Sequence, residues 1–335
     1  MINKVRLSKY FFLIVLLFLS GVLGYRSIEV GIDTINYMGI FLSRESCNCI
    51  GGLEPGFEFF IYPMALLGFS SEAIFTVISL FIFIITFLII HKLVEYYFLD
   101  IKTRSFKIKL TVFFIFLFLP FYFQIHVNAI RQGMSLLILL LAFTYVLNKN
   151  YSASFWLALI SIGFHYSAVL IVPFYLVFFH SKIEANKKFL ISMFVFLCLV
   201  VVYATGFSEY IIKSFSFFTG LPIWSAVSQY AHESSYKAGV RYDFLAFTFL
   251  VIAPVAFFAI KKESFKDLSV FLFLSTFPFL LLGWGAYSNR YIFNTWIYAF
   301  IFLILLLVIR LPKLSKVPYF FGVLSVMIIF YKVYF

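Results

Sequence analysis

Charge is what this sequence has least of. Only 12% of its 335 residues are Asp, Glu, Lys or Arg, where a soluble domain carries about a quarter. That leaves too little polar surface to coat a globule in water. No long polar segment interrupts the chain, which argues against a separate soluble domain. No internal repeat or low-complexity linker divides it either, so we read residues 1–335 as a single integral membrane domain.

Cysteine is nearly as scarce. Cys198 lies in an apolar run and reads as inert packing, while Cys47 and Cys49 form a Cys-Asn-Cys too tightly spaced for an easy mutual disulfide. No His or second Cys pair completes a ligand set, so no metal is expected. P-loop, dinucleotide fingerprint, serine elbow and metal box are all missing, and no cofactor is expected. Acidic residues number 14 against 26 basic ones, a net charge of +12. That balance invites a nucleic-acid reading, but there is no basic stripe of the kind a duplex needs.

What the chain has in abundance is apolar length. It is 64% hydrophobic with 50 Phe, and its mean hydropathy is +1.04. A spanning helix needs about 20 apolar residues, so about a dozen crossings fit at most. Apolar runs start near Tyr10, Ile74, Leu110, Gln132, Ser152, Tyr166, Phe189, Phe244, Leu268, Tyr291 and Pro318. Lys4, Arg6 and Lys9 before the first run resemble a signal peptide, read here as a retained first helix.

Lys clusters between apolar runs are topology signals. With a cytoplasmic N-terminus, the cytoplasmic links are residues 91–109, 148–150, 181–188, 261–267 and 310–317. Together with the N-terminus they hold 18 of the 26 Lys and Arg. Two constraints follow. Residues 53–69, with Glu54, Pro55, Glu58 and Pro63, must not cross, and are expected to lie on or dip into the membrane. Residues 151–180 must cross twice, turning near residues 163–167 and placing His165 near the outer face. The expected fold is an all-α polytopic membrane protein with about 11 transmembrane helices (10–12), an external interfacial helix near 54–69, and external loops at about 25–72 and 206–241.

The two faces differ in chemistry as well as sign. The cytoplasmic side has three Arg against 15 Lys, and the external side has Arg26, Arg44, Arg131, Arg241 and Arg290 against three Lys. Topology alone does not distinguish Lys from Arg. Arg presents a rigid fork of donors that fits phosphate or carboxylate bidentately, so an external Arg set suits a pyrophosphate at the membrane surface. The plain alternative is that these Arg snorkel and pair with Glu29, Asp33, Glu45 or Glu54.

Several polar sets stand out along the chain. Asp33, Asn36 and Tyr37 fall within one helical turn and could serve sugar hydroxyls, or be a helix cap with an interfacial Tyr. Gln124, Asn128, Arg131, Gln132 and Ser135 recur at helical spacing as a polar stripe, with His126 on a neighbouring face. Such a stripe lines a cavity or bonds neighbouring helices. His165 is the first candidate for a general base, unless it bonds a neighbouring carbonyl. Asp33 is the second. His232 and Glu233 are rival bases in the late external loop, beside Tyr230, Lys237 and Arg241. Arg290 and Asn294 share a helix face.

Taken in order, these pieces resemble a known family. Tyr25-Arg26 with Gly31-Ile32-Asp33-Thr34-Ile35-Asn36-Tyr37, Glu54-Pro55-Gly56-Phe57-Glu58, Ile130-Arg131-Gln132-Gly133, Phe164-His165-Tyr166-Ser167-Ala168 and Arg290-Tyr291 resemble the EpsG family of polysaccharide-assembly proteins, a Wzy-like O-antigen and exopolysaccharide polymerase group. The resemblance runs from about Tyr10 to about Leu307. The Cys-Asn-Cys loop and the late external loop depart from it. It implies an inner-membrane glycosyltransferase that joins undecaprenyl-pyrophosphate-linked oligosaccharides at the periplasmic face, without nucleotide sugar or metal. The bilayer, and a chain-length regulator and flippase, are the partners it implies. In that reading His165 or Asp33 is the base. Arg26, Asn36, Tyr37, Gln124, Asn128, Arg131, Gln132, Arg241 and Arg290 bind substrate. The rivals are an O-antigen ligase or membrane acyltransferase acting on the same lipid-linked material, and a repeat-unit flippase.

Overall fold

The computed structural model describes residues 2–47, 53–97, 105–214, 239–285, 288–311 and 318–334. Among them every regular element is a helix. In chain order these are α1 (Ile2–Gly24), α2 (Ile32–Cys47), α3 (Pro55–Leu66), α4 (Ser71–Tyr97), α5 (Ser105–Phe116), α6 (Pro120–Val127), α7 (Ile130–Leu147), α8 (Tyr151–Phe164), α9 (Val172–His180), α10 (Ala185–Ala204), α11 (Phe207–Ser214), α12 (Tyr242–Lys261), α13 (Lys266–Ser275), α14 (Phe277–Leu282), α15 (Ser288–Arg310) and α16 (Pro318–Tyr334). Short 3-10 turns at Tyr166–Leu170 and Glu263–Phe265 complete the set.

Every apolar run expected from the sequence falls in a helical segment. Among the described residues, six segments are long and apolar enough to cross a membrane: Ser71–Tyr97, Ile130–Leu147, Ala185–Ala204, Tyr242–Lys261, Glu263–Leu282 and Arg290–Val308. A seventh is formed if α5 and α6 count as one span bent by 77°. Lys9–Gly24, Tyr151–Phe164 and Val323–Val333 are apolar but shorter. The chain is therefore a polytopic membrane protein, but length and composition stop short of the expected eleven crossings. At about 1.5 Å per residue, the 14 residues of α8 reach about two thirds of a ~30 Å hydrocarbon core. The 12-residue α3 is likewise too short to cross.

The chain divides into two compact units. The first holds residues 1–165 and 304–335. Its centre is α7, buried on nearly every side, as suits a helix that is apolar around most of its length beyond the polar first turns. It packs on α4 and α8, and the α4 residues Ile74, Ile78, Ile82, Phe83 and Ile89 are fully buried. The bend between α5 and α6 has a local cause: Pro120 cannot continue the hydrogen-bond ladder, and the residue before a proline avoids helical geometry. The Tyr122 hydroxyl, donating to Thr86 Oγ1 at 2.9 Å, ties the bent segment to α4. Ser325 on α16 donates to the Phe114 carbonyl of α5 at 3.0 Å.

This unit has two chemically different ends. Lys109 at the start of α5 meets His91 and Glu95 near the end of α4, and Lys92 lies over the Tyr145 ring near the end of α7. The opposite end gathers the end of α1, all of α2 and α3, the α6–α7 junction and the end of α8.

The second unit covers residues 166–303. Here α10 packs on α13 and α14, and α12 on α13. Trp296 donates to Thr248 Oγ1 at 3.0 Å, and Ser275 to Thr295 Oγ1 at 3.0 Å, bonding α12 to α15 and α13 to α15. Cys198 does not pack inward as expected. It is exposed on α10, in a row with Leu190, Phe194, Leu197 and Val201. That is an apolar face suited to lipid.

Candidate active site

The site grows from α3, and each residue of the Glu-Pro-Gly-Phe-Glu sequence has a separate task. Glu54 is the N-cap and Pro55 stands at the first helical position, where its missing N–H costs nothing. Glu58 turns back to accept from the Leu53 N–H at 3.1 Å, closing the helix start. Phe57 is fully buried, its ring 5.8 Å from that of Tyr37 on α2. Gly56 permits the contact that matters most. A Cβ there would fall 2.7 Å from the Gly163 carbonyl carbon on α8. Only a residue without a side chain lets the start of α3 lie against the end of α8, where His165 is the C-cap.

That approach brings four side chains together. Glu54, only 4% exposed, accepts from Arg131 Nη1 through Oε2. Its Oε1 lies 2.9 Å from His165 Nδ1. This second approach is at ion-pair distance but off the line of the ring N–H, so it is an electrostatic contact rather than a directed hydrogen bond. Arg131 also donates from Nε to the Tyr37 hydroxyl at 2.6 Å.

The electrostatics follow from this arrangement. Burial pushes the Glu54 carboxyl upward, but the contact with His165 and the positive charges of His165 and Arg131 outweigh it and hold the group at about 2. Burial raises the Tyr37 phenol to about 12, against the lowering influence of Arg131. Tyr37 thus keeps its proton, accepts from Arg131 and can still donate. His165 and Arg131 are each about 30% exposed at the side chain. His165 Nε2 and Arg131 Nη2 make no protein bond among the described residues. The cluster presents one imidazole nitrogen, spare guanidinium donors and one phenol O–H, organised by a buried carboxylate.

The other expected site residues are placed differently. Asp33 is half-buried in the first turn of α2, near enough to influence Tyr37, and Asn36 is exposed on the same helix. Arg26 is 5% exposed. It donates to Thr34 Oγ1 at 2.9 Å and to the Leu23 carbonyl at 2.5 Å, and its guanidinium lies 4.1 Å from the centre of the Phe75 ring. It pins the α1–α2 corner. His126 is buried between Phe83 and Tyr122.

The expected polar stripe is not one continuous face. The helix breaks at Asn128 and Ala129, whose N–H groups both bond the Gln124 carbonyl. Gln124 and Asn128 therefore close α6, while Arg131, Gln132 and Ser135 open α7. Gln132 is buried, and Ser135 donates to the Ser161 carbonyl at 2.7 Å.

Arg241 and Arg290 belong to the second unit. Arg241 is the N-cap of α12 and pairs with Asp243 through Nε at 2.9 Å and Nη2 at 2.6 Å. Its backbone N–H bonds the Tyr203 hydroxyl at 2.9 Å, which in turn donates to the Gly283 carbonyl at 3.2 Å. Arg290 stands half-buried in the first turn of α15, and Asn294 is buried one turn on. Cys49, Tyr230, His232, Glu233, Lys237 and Tyr287 lie outside the described residues.

The family comparison covers this whole arrangement. The family model for the EpsG family matches residues 9–335, nearly the full chain.

The chain belongs to the EpsG family.

EpsG-family members are Wzy-like polymerases, and membership supports a membrane polysaccharide-polymerase role for this chain. A search of curated proteins and a search of solved structures each return no match. Glu54, at the centre of the site, opens a family motif and marks a non-crossing segment in the sequence, but its chemistry there reads only as that of an ion-pair partner. A signal for it was present: a carboxylate at the head of an apolar segment of a membrane chain marks a functional position by default.

Proposed function

We propose that this EpsG-family protein is a polysaccharide polymerase of the bacterial inner membrane. It joins undecaprenyl-pyrophosphate-linked oligosaccharide repeats at the periplasmic face, in a chain with a cytoplasmic N-terminus and about eleven crossings. The observation that carries this reading is the buried Glu54 carboxylate held between His165 and Arg131. It supplies a base and an anion clamp side by side.

In the reaction an acceptor sugar hydroxyl attacks the anomeric carbon of the donor saccharide. The new carbon–oxygen bond forms as the bond to the pyrophosphate oxygen breaks, and lipid pyrophosphate leaves with the electron pair. His165 Nε2 takes the hydroxyl proton. Glu54 beside Nδ1 favours the tautomer with the proton on that nitrogen and stabilises the imidazolium that forms. Arg131 and the Tyr37 O–H donate to the leaving pyrophosphate, where charge accumulates.

The test is genetic and chemical. Deleting the gene in a strain that makes a long surface polysaccharide should leave single capped repeats. Complementation with Arg131→Lys should restore membrane insertion but lower polymer yield about tenfold or more, because an ammonium cannot reproduce the guanidinium fork. Complete loss of surface sugar in the deletion strain would point to a flippase or ligase. Wild-type chain length in R131K would sink the clamp.

A further inference from the structure

At the same end of the first unit, the α1–α2 link, the end of α6 and the end of α16 border a half-open cavity of about 520 Å³. This falls within the ~300–1,000 Å³ range of small-molecule sites. None of its lining residues belongs to the Glu54 cluster. Gly31 shapes it: its φ of +88° is in the left-handed region, and a Cβ there would sit 2.6 Å from the Val127 carbonyl and 2.7 Å from Asn128 Oδ1. The link is thereby drawn down onto the break between α6 and α7.

The chemistry of the lining is mixed. Gln124 accepts from Asn128 through its carbonyl oxygen, so its own amide N–H groups remain for a ligand. Asn128 Oδ1 is buried and has no hydrogen-bond partner among the described residues. Glu29 adds a carboxylate and Ser27 a hydroxyl. Lys332 lies over the Phe123 ring at 5.3 Å, and valine methyls complete the walls. A phosphate would be repelled by Glu29 and would leave the amide oxygen unmet. Sugar hydroxyls both donate and accept, and the apolar face of a pyranose suits Phe123.

We propose that this cavity is a saccharide subsite, binding one sugar ring of the oligosaccharide away from the reacting bond. The inference rests on the polymerase reading for the source of its ligand. Its neighbourhood supports the connection: Asn128 and Arg131 stand on either side of a single helix break, so the cavity and the Glu54 cluster share one scaffold.

The test uses the purified full-length protein in detergent. The probe is the lipid-free repeat oligosaccharide of the host strain, labelled with a fluorophore at its reducing end. Wild type should bind it saturably. Gln124→Ala and Glu29→Gln should each weaken binding about tenfold, the loss expected for one well-placed polar contact. Ser27→Trp, which fills the cavity from the link, should abolish it. Gly39→Ala on α2, where nothing lies within 4 Å of a Cβ, should bind as wild type does, and each variant should elute as a monodisperse species. No binding by wild type, or wild-type affinity in both S27W and Q124A, overturns the subsite. Failure of the polymerase reading shows elsewhere, as unchanged polymer in the deletion strain.

Discussion

Glu54 is buried, ionised and bordered by the Arg131 guanidinium and the His165 imidazole. A buried charge costs several kcal/mol unless it is paired, so its partners and its protonation state are linked. Because its folded value lies near 2, below the ordinary 4.5, it stabilises the fold fully above about pH 4.5. That contribution is lost as pH falls from there through about 2. The thermal midpoint of the purified wild type should therefore drop across this window. Glu54→Gln should start lower at neutral pH, with Arg131 left unpaired, and should lose much of the acid dependence. Parallel wild-type and E54Q curves at every pH would show that Glu54 does not carry this charge. His165→Asn should lower polymer turnover about 10²- to 10⁴-fold, the ordinary contribution of a general base, with insertion and expression kept. Turnover within a few-fold of wild type would remove His165 as the base.

Elements place these residues through backbone proximity. The start of α3 reaches the end of α8 only because Gly56 meets Gly163. Gly56→Ala should push the two helices apart, at a cost of about 1–3 kcal/mol for overpacking, and separate Glu54 from His165. Polymer yield should fall with thermal stability. Gly39→Ala on α2 is the matched control, since nothing lies within 4 Å of a Cβ there. Equal effects in G56A and G39A, read by melting and by chain length, would sink the idea that this contact assembles the site. The break between α6 and α7 works in the opposite sense. It divides what looked like one polar stripe, sending Gln124 and Asn128 to the cavity and Arg131 to the Glu54 cluster.

In the first unit one end carries Arg26, Arg131 and the candidate site, and the other carries Lys92, Lys107, Lys109 and Lys149. This arrangement suits the positive-inside rule, with the lysine end cytoplasmic. In a background lacking native cysteines, Ile28→Cys, at an exposed position in the α1–α2 link, should react with a membrane-impermeant maleimide on intact spheroplasts. Lys149→Cys, at the turn between α7 and α8, should react only after permeabilisation. The reverse pattern would invert the topology and move the site to the cytoplasmic face.

The membrane character, the all-helical class and the position of each apolar segment were already legible in composition and run length. Sparse charge cannot coat a soluble globule, and in lipid a helix satisfies its own backbone. Local chemistry also picked out Tyr37, Arg131 and His165, because polar side chains are conspicuous in apolar runs. What periodicity could not supply was the meeting of faces from distant segments. Residues 37 and 131 lie on two helices and residues 54 and 165 at the ends of two others, and their convergence depends on two glycines touching and one helix breaking. A sequence pattern reports which side of an element is polar. Packing chooses the partner that side will face, and here it set Glu54 between Arg131 and His165.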